Sequence, residues 1–168
     1  LPILVVLDRR AASGPAVLMG QRGASAAFMP SKYVFPGGAV DAGDADAPLG
    51  GALAPQTAAR LMAEPRPGAP AAPAQALAAA ALRELAEETG LLTGRPGPAP
   101  EGWDNYARAG LAPDPSALIY LFRAITPPGR PRRFDARFLL LDAEHLHGDR
   151  QDFSAACDEL SHLHWVPL

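Results

Sequence analysis

The chain has little of what several protein classes require. It contains one cysteine, Cys157, in 168 residues, so no disulfide can form within it. A lone thiol fits a reducing compartment, and a cytoplasmic location is expected. No apolar run approaches the ~18–20 residues of a membrane-spanning helix, so no membrane partner is expected. The opening LPILVVLDRR places its charges after its apolar run, which reads as a strand rather than a secretory leader. The chain starts at Leu1, not Met, and stops at Leu168 just after a strand-like run, so trimmed ends are expected. Positive charge is not in excess: 15 Lys and Arg face 18 Asp and Glu, for a net charge of −3. Without a basic stripe, nucleic acid is not an expected partner. A chain of this sign that binds polyphosphate needs locally placed cations or metal ions. No internal repeat is visible, and the length suits one domain with a sizeable core.

Alanine, proline and glycine are abundant instead, and the last two are concentrated in particular segments. Residues 3–8 (ILVVLD) and 16–22 (AVLMGQR) read as strands around a turn at 9–15, a hairpin pattern. A loop follows at 23–32, then a short strand at 33–38 (YVFPGG). Residues 39–54 are glycine-rich and acidic. A short helix with proline in its first turn is expected over 55–64. The run PRPGAPAAP at 65–73 has four prolines and reads as a surface excursion. The clearest helix is 74–89, with Ala78, Ala81, Leu82 and Leu85 at helical spacing, Gly90 as its C-terminal cap and Leu91 packing back. A loop at 93–102, a short helix at 103–110, and strands at 117–126, 133–142 and 161–168 complete the expectation, with an irregular stretch before the last strand. The order β, β, β, helix, β, β, β indicates a mixed α+β domain.

The segment LRELAEETGL, Leu82 to Leu91, carries the chemistry. At 100° per residue, Glu84, Glu87 and Glu88 fall within about 100° of one another, away from the apolar stripe. Carboxylates at i, i+3 and i+4 repel unless something positive joins them. Arg83 can pair with Glu87 at i+4. Glu84 and Glu88 then have no partner on the helix, and hard oxygen ligands so placed suit Mg²⁺ or Mn²⁺. The alternative is a solvated charged face. The chain also holds an FPGG turn at Phe35–Gly38, and five residues separate Gly38 from Asp44.

Together these pieces resemble the Nudix box, G-x5-E-x7-R-E-U-x-E-E-x-G-U, where U is a bulky aliphatic. Arg83 to Leu91 fit every specified position of its second half. Between Asp44 and Arg83 stand 38 residues where the pattern has seven, so the box is complete but split by an insertion at about 45–75. Loop-closure entropy grows slowly with length, so such an excursion is tolerable. The chain is similar to Nudix hydrolases over nearly its whole length. It looks most like the subgroup with an insertion inside the box, which includes coenzyme A diphosphatases. FMPSKYVFPGG (28–38), RRFDARFLL (132–140) and DELSHLHWVPL (158–168) support that likeness.

The resemblance implies the Nudix fold, a mixed β-sheet sandwiched by helices (α/β/α), as a single domain over 1–168. It implies a metal-dependent hydrolase that cleaves the diphosphate of a nucleoside diphosphate derivative. Carried over residue by residue, the metal ligands are Glu84 and Glu88, then Glu87, with the backbone carbonyl near Gly38. Asp44 stands where the family usually has Glu and is one methylene shorter, so Asp41 or Asp46 competes with it. Arg83 is expected to orient Glu87 and the loop. Glu159 stands where many relatives place a further acidic ligand or base, although an exposed loop glutamate is the alternative.

The substrate is less defined. The coenzyme A signature before the box, R-[SA]-x3-R-x3-G-x3-F-P-G-G, finds Arg22 and Phe35 at the right spacing. Gly23, Ala27 and Ser31 replace its small residue, second Arg and Gly. Lys32, Arg123, Arg132, Arg133 or Arg137 would have to supply the missing cation for a 3′-phosphate; each is otherwise a solvated charge. The alternatives are ADP-ribose, a nucleotide sugar or a dinucleotide as substrate, or a non-catalytic nucleotide-binding module. The insertion reads as a homodimer contact, a pocket lid or a plain surface loop. Two His-Leu-His runs (145–147 and 162–164) lack partners at zinc spacing, and Cys157 lacks the context of a nucleophile. Trp103, Tyr106 and Trp165 either stack on a base or pack in the core.

Overall fold

The computed structural model describes residues 1–23, 31–63, 72–130 and 133–168. Ala27, Arg132, most of the 23–32 loop and most of the proline-rich 65–73 run lie outside them.

A mixed sheet organises the chain. Strand β1 (Pro2–Asp8) turns into β2 (Ala16–Arg22), and the two pair antiparallel only at Leu7–Val17 and Asp8–Ala16. β1 then runs parallel to β7 (Asp135–Asp142) from Pro2–Arg137 to Leu7–Asp142. The outer strand β6 (Ile119–Ile125) pairs antiparallel with β7, with a register shift between Tyr120 and Phe122. β2 uses its far end for β3 (Tyr33–Val34) and its other edge for β8 (Leu160–Pro167). β1 is alternately buried, as a period-2 strand with one face on the core must be. β3 is shorter than the expected strand at 33–38, because the chain leaves the ladder at Phe35. Pro36 O then accepts from Leu4 N at 2.8 Å, which brings the following glycines onto β1.

Helix α1 (Pro55–Met62) begins with its proline at the first turn, and α2 (Ala74–Thr89) spans the expected residues. Gly90 ends α2 in the left-handed conformation, φ 76°, with its N–H on Ala86 O at 2.9 Å. The expected stripe Ala78, Ala81, Leu82 and Leu85 is fully buried against Leu4, Val6, Leu18, Leu139 and Leu141. Burial of α2 goes further than one stripe, to Ala76, Leu77, Ala79 and Ala80. The added cover includes α1, whose fully buried Leu61 joins the core and whose Thr57 Oγ1 donates to Leu118 O at 3.1 Å. A short 3₁₀ turn at Ala42–Ala45 also packs on α2. Small side chains let these neighbours approach a helix on several sides.

The loop expected at 93–102 is partly wrong. Strand β4 (Gly94–Pro96) pairs there with β5 (Leu111–Pro113), around helix α3 (Asp104–Ala109). Each strand is three residues and includes a proline, too short and irregular for an alternating pattern to show. Buried Tyr106 closes this unit, its hydroxyl donating to Thr93 O at 3.1 Å.

At the β6–β7 edge, Asp135 accepts Arg123 at 2.7 Å and Arg137 at 3.3 Å. The Arg123 guanidinium holds the Asp135 carboxyl below the usual carboxylate range. A lowered folded value means stability that is present above the unfolded carboxylate pKa, ~4, and lost as pH falls through the folded value. Asp135→Asn is therefore expected to cost about 1–3 kcal/mol near neutral pH, a deficit that shrinks below pH ~3 in urea melts. An equal deficit at both pH values would contradict the assignment.

Candidate functional site

The FPGG turn meets α2 through its glycines. Gly37 sits at φ 151°, where a Cβ would lie 2.5 Å from Pro2 O and 2.9 Å from the Ile3 Cα. Its N–H donates to Glu88 Oε2 at 2.8 Å. A Cβ on Gly38 would overlap the Glu84 carboxylate. One glycine thus lets the turn pass against β1, and the next lets Glu84 pass against the turn. Gly37→Ala is expected to destabilise the fold by about 1–3 kcal/mol, because the clash is with backbone that cannot yield. A denaturant midpoint equal to wild type would refute that packing.

Arg83 is the clasp between helix and turn. Its Nε and Nη2 hold Asp44 at 3.0 and 3.2 Å, a two-point contact, and Nη2 also donates to Ala39 O at 2.9 Å. Nη1 reaches Glu84 at 3.0 Å and Glu87 at 3.1 Å, and Asp41 lies 3.6 Å from Nη2. Burial alone would weaken this guanidinium's charge, but Asp44, Glu84 and Glu87 outweigh it and raise its pKa. Asp44 is buried and also accepts Asp41 N at 2.7 Å, so its carboxylate is engaged with Arg83 and its own turn.

Glu88 is 2% exposed, and among the described residues its hydrogen-bond donor is Gly37 N–H. Burial pushes its carboxyl up to about 8; the Gly37 bond opposes this, while Glu84 and Glu159 add repulsion and Arg22 relieves some. Glu84 is raised too, first by burial, with the Arg83 charge working against it. Arg22 and Glu159 come to the same place, 3.5 Å apart, and Arg22 Nε is buried with no hydrogen-bond partner among the described residues. Lys32 is exposed at the start of the approach to the turn, its carbonyl accepting Arg22 N at 3.0 Å. Arg123 and Arg137 are gathered around Asp135 instead, and Arg137 Nε donates to Leu61 O at 3.0 Å.

As they stand, no three Asp, Glu, His or Cys side chains among the described residues converge into a metal-holding group. The reason is local: Glu84 and Glu87 are turned onto Arg83, and Glu88 onto Gly37. The donor set nevertheless fits a hard divalent cation. Buried Glu88 and partly buried Glu84, both with raised pKa, repel each other, and a cation between them would reverse both effects. Glu84 would have to turn from Arg83, which would keep Asp44 and Ala39.

The two His-Leu-His runs serve other contacts. His147 Nε2 lies 2.9 Å from Gly94 O, and His164 stacks edge-on to Tyr33. Trp165 Nε1 donates to Arg150 O at 3.1 Å. The sequence reading had no signal for the Asp41–Asp44 turn as an anchor for Arg83; the two acids bracket a single 3₁₀ turn, too short for periodicity.

A solved NUDIX hydrolase structure from Alicyclobacillus acidocaldarius matches with a TM-score of 0.63 at 31% identity, over 99% of this chain and 77% of that one. The chain belongs to the Nudix hydrolase family. A Caenorhabditis elegans protein named as a nudix hydrolase is 31% identical over 170 residues, covering 89% of this chain and 46% of the relative. The chain thus spans about half the length of that curated relative. A C. elegans Ap4A hydrolase structure aligns at 14% identity with a TM-score of 0.42, too distant to carry an argument. No family-level sequence model matches the chain. Among the described residues no helix is long and apolar enough to cross a membrane.

Proposed function

We propose that the chain hydrolyses the diphosphate linkage of a nucleoside diphosphate derivative, with Mg²⁺ or Mn²⁺ held by Glu84 and Glu88. The observation that carries this reading is the pair of carboxylates facing the FPGG glycines, buried Glu88 and partly buried Glu84, with Gly37 bonding Glu88 directly. Glu87 and the Gly38 carbonyl are the further candidate ligands. A divalent ion bound there would neutralise phosphoryl oxygens and acidify water.

The chain's own residues do the rest. Gly37 N–H fixes the Glu88 rotamer. Arg83 holds α2 to the turn through Asp44 and Ala39, so the carboxylates keep their spacing. We place Asp44 as the anchor of Arg83. Glu159, 57% exposed at its side chain, is the candidate base for the attacking water, and Arg22 beside it is placed to meet a phosphate.

Coenzyme A or an acyl derivative is the finer candidate, supported by Arg22 and the insertion within the box. Packing of α1 onto α2 supports one domain with the 45–75 insertion built into it. The test is a panel of coenzyme A, ADP-ribose, nucleotide sugars and dinucleotides with Mg²⁺ or Mn²⁺, scored by release of phosphomonoester products. Turnover of at least one compound, abolished by chelation, is expected. Inert coenzyme A beside active ADP-ribose would remove the finer candidate. Nucleotide binding without any turnover would overturn the hydrolase.

A further inference from the structure

Beside the carboxylates lies a cavity of about 270 Å³ between α2, α3 and the segment 155–157. Its walls include Arg83, Glu87, Trp103, Asp104, Arg108 and Cys157. They are fixed from behind. Trp103 lies 5.5 Å from Tyr106, ring to ring, at 52°, and Tyr106 is fully buried. Cys157 N donates to Glu87 O at 2.7 Å, and Asn105 Nδ2 donates to Ala86 O at 2.8 Å and Ala155 O at 3.4 Å. Pockets for drug-sized ligands run to roughly 300–1,000 Å³. This one holds a single ring system rather than a whole nucleotide derivative.

Its charges decide what kind of ring. Arg83 is committed to Asp41, Asp44, Glu84 and Glu87, and Arg108 to Asn105. Asp104 and Glu87 add negative charge to the lining. A phosphate would meet committed cations and two carboxylates. A neutral planar ring would meet the Trp103 indole and the Arg108 guanidinium as stacking surfaces, and carboxylate acceptors for its amino groups.

We propose that this cavity binds the nucleobase end of the substrate. The inference rests on the reading of that substrate as a nucleoside diphosphate derivative. On α2, Arg83, Ala86 and Glu87 line the cavity, while Glu84 and Glu88 face the FPGG turn. Glu87 stands at the edge between the two. A base seated on Trp103 leaves its phosphates outside the cavity, on the side of α2 that carries Glu84 and Glu88.

Cys157 is exposed, lines the cavity and is the chain's one cysteine, so it reports on occupancy. The experiment follows its alkylation by iodoacetamide, by mass, without metal and without turnover. Adenosine at millimolar concentration is expected to slow alkylation at least ~5-fold, as loss or gain of one base–aromatic stack implies. Ribose 5-phosphate is expected to leave the rate unchanged. Trp103→Leu, checked for native circular dichroism, should remove the protection. If that variant does not fold, Arg108→Ala on the rim should weaken it. No protection by adenosine, equal protection by ribose 5-phosphate, or full protection in folded Trp103→Leu or Arg108→Ala would each overturn the proposal. Protection without hydrolysis of any diphosphate would overturn the catalytic reading and support this one. Hydrolysis without protection would do the reverse.

Discussion

Glu88→Gln is expected to lose at least ~100-fold in turnover with Mg²⁺ or Mn²⁺, as removal of a metal ligand should, while the protein becomes more stable in metal-free buffer. The two effects share one cause. Glu88 is buried and its pKa is raised from 4.5 to about 8. For an acid with a raised folded value, ionisation weighs against the folded state. The penalty is absent below the unfolded value, grows between it and about 8, and is complete above that. Glutamine removes the charge and keeps an oxygen to accept Gly37 N–H. At pH 8 the variant should melt higher by ~2–4 °C per kcal/mol of relieved penalty, and the two proteins should converge as pH falls toward 4.5. Adding Mn²⁺ should then raise the wild-type melting point and not that of the variant, because only a bound ligand stabilises by mass action. A variant that melts lower at pH 8, or keeps full turnover, would break the link between burial and function.

Arg83→Leu is expected to cost ~3–5 kcal/mol, the scale for leaving a buried charge without its partner, or a melting point lower by on the order of 6–20 °C. Asp44 is 2% exposed, and its remaining hydrogen bond among the described residues is from Asp41 N. Without Arg83 its charge is left with that one donor in a buried position. The decisive control is Asp44→Asn placed in the Arg83→Leu background. Removing the stranded charge should recover part of the lost stability, although the tie to Ala39 O stays broken. A single variant within ~2 °C of wild type, or a double variant no better than the single, would show that Arg83 is not the clasp.

Much of the candidate site's arrangement was legible in the sequence because its grammar is local. Arg83, Glu84, Glu87 and Glu88 lie on one helix, and helical spacing alone puts three carboxylates on one face. The two glycines of FPGG were also readable, and the structure supplies their separate reasons: Gly37 against β1, Gly38 against Glu84. What the sequence did not disclose depends on long-range pairing. The approach of Asp44 to Arg83 joins residues 39 apart, across the insertion. Arg123 looked available for a phosphate because nothing local marks Asp135 as its partner; the β6–β7 register brings it there, whereas Arg137 reaches Asp135 from two residues along the same strand. The β4–β5 ladder was missed because prolines and three-residue strands erase alternation. The wide burial of α2 exceeds the expected stripe, since alanines give a weak signal until α1 and the 3₁₀ turn are seen to cover them.

The most direct measurement of the central claim is a Mn²⁺ titration followed by the electron paramagnetic resonance signal of the free ion, for the wild type and for Glu84→Gln/Glu88→Gln. The wild type should take up Mn²⁺, and the double variant, folded by circular dichroism, should bind it at least ~10-fold more weakly. Equal Mn²⁺ affinity in the two proteins would contradict the account.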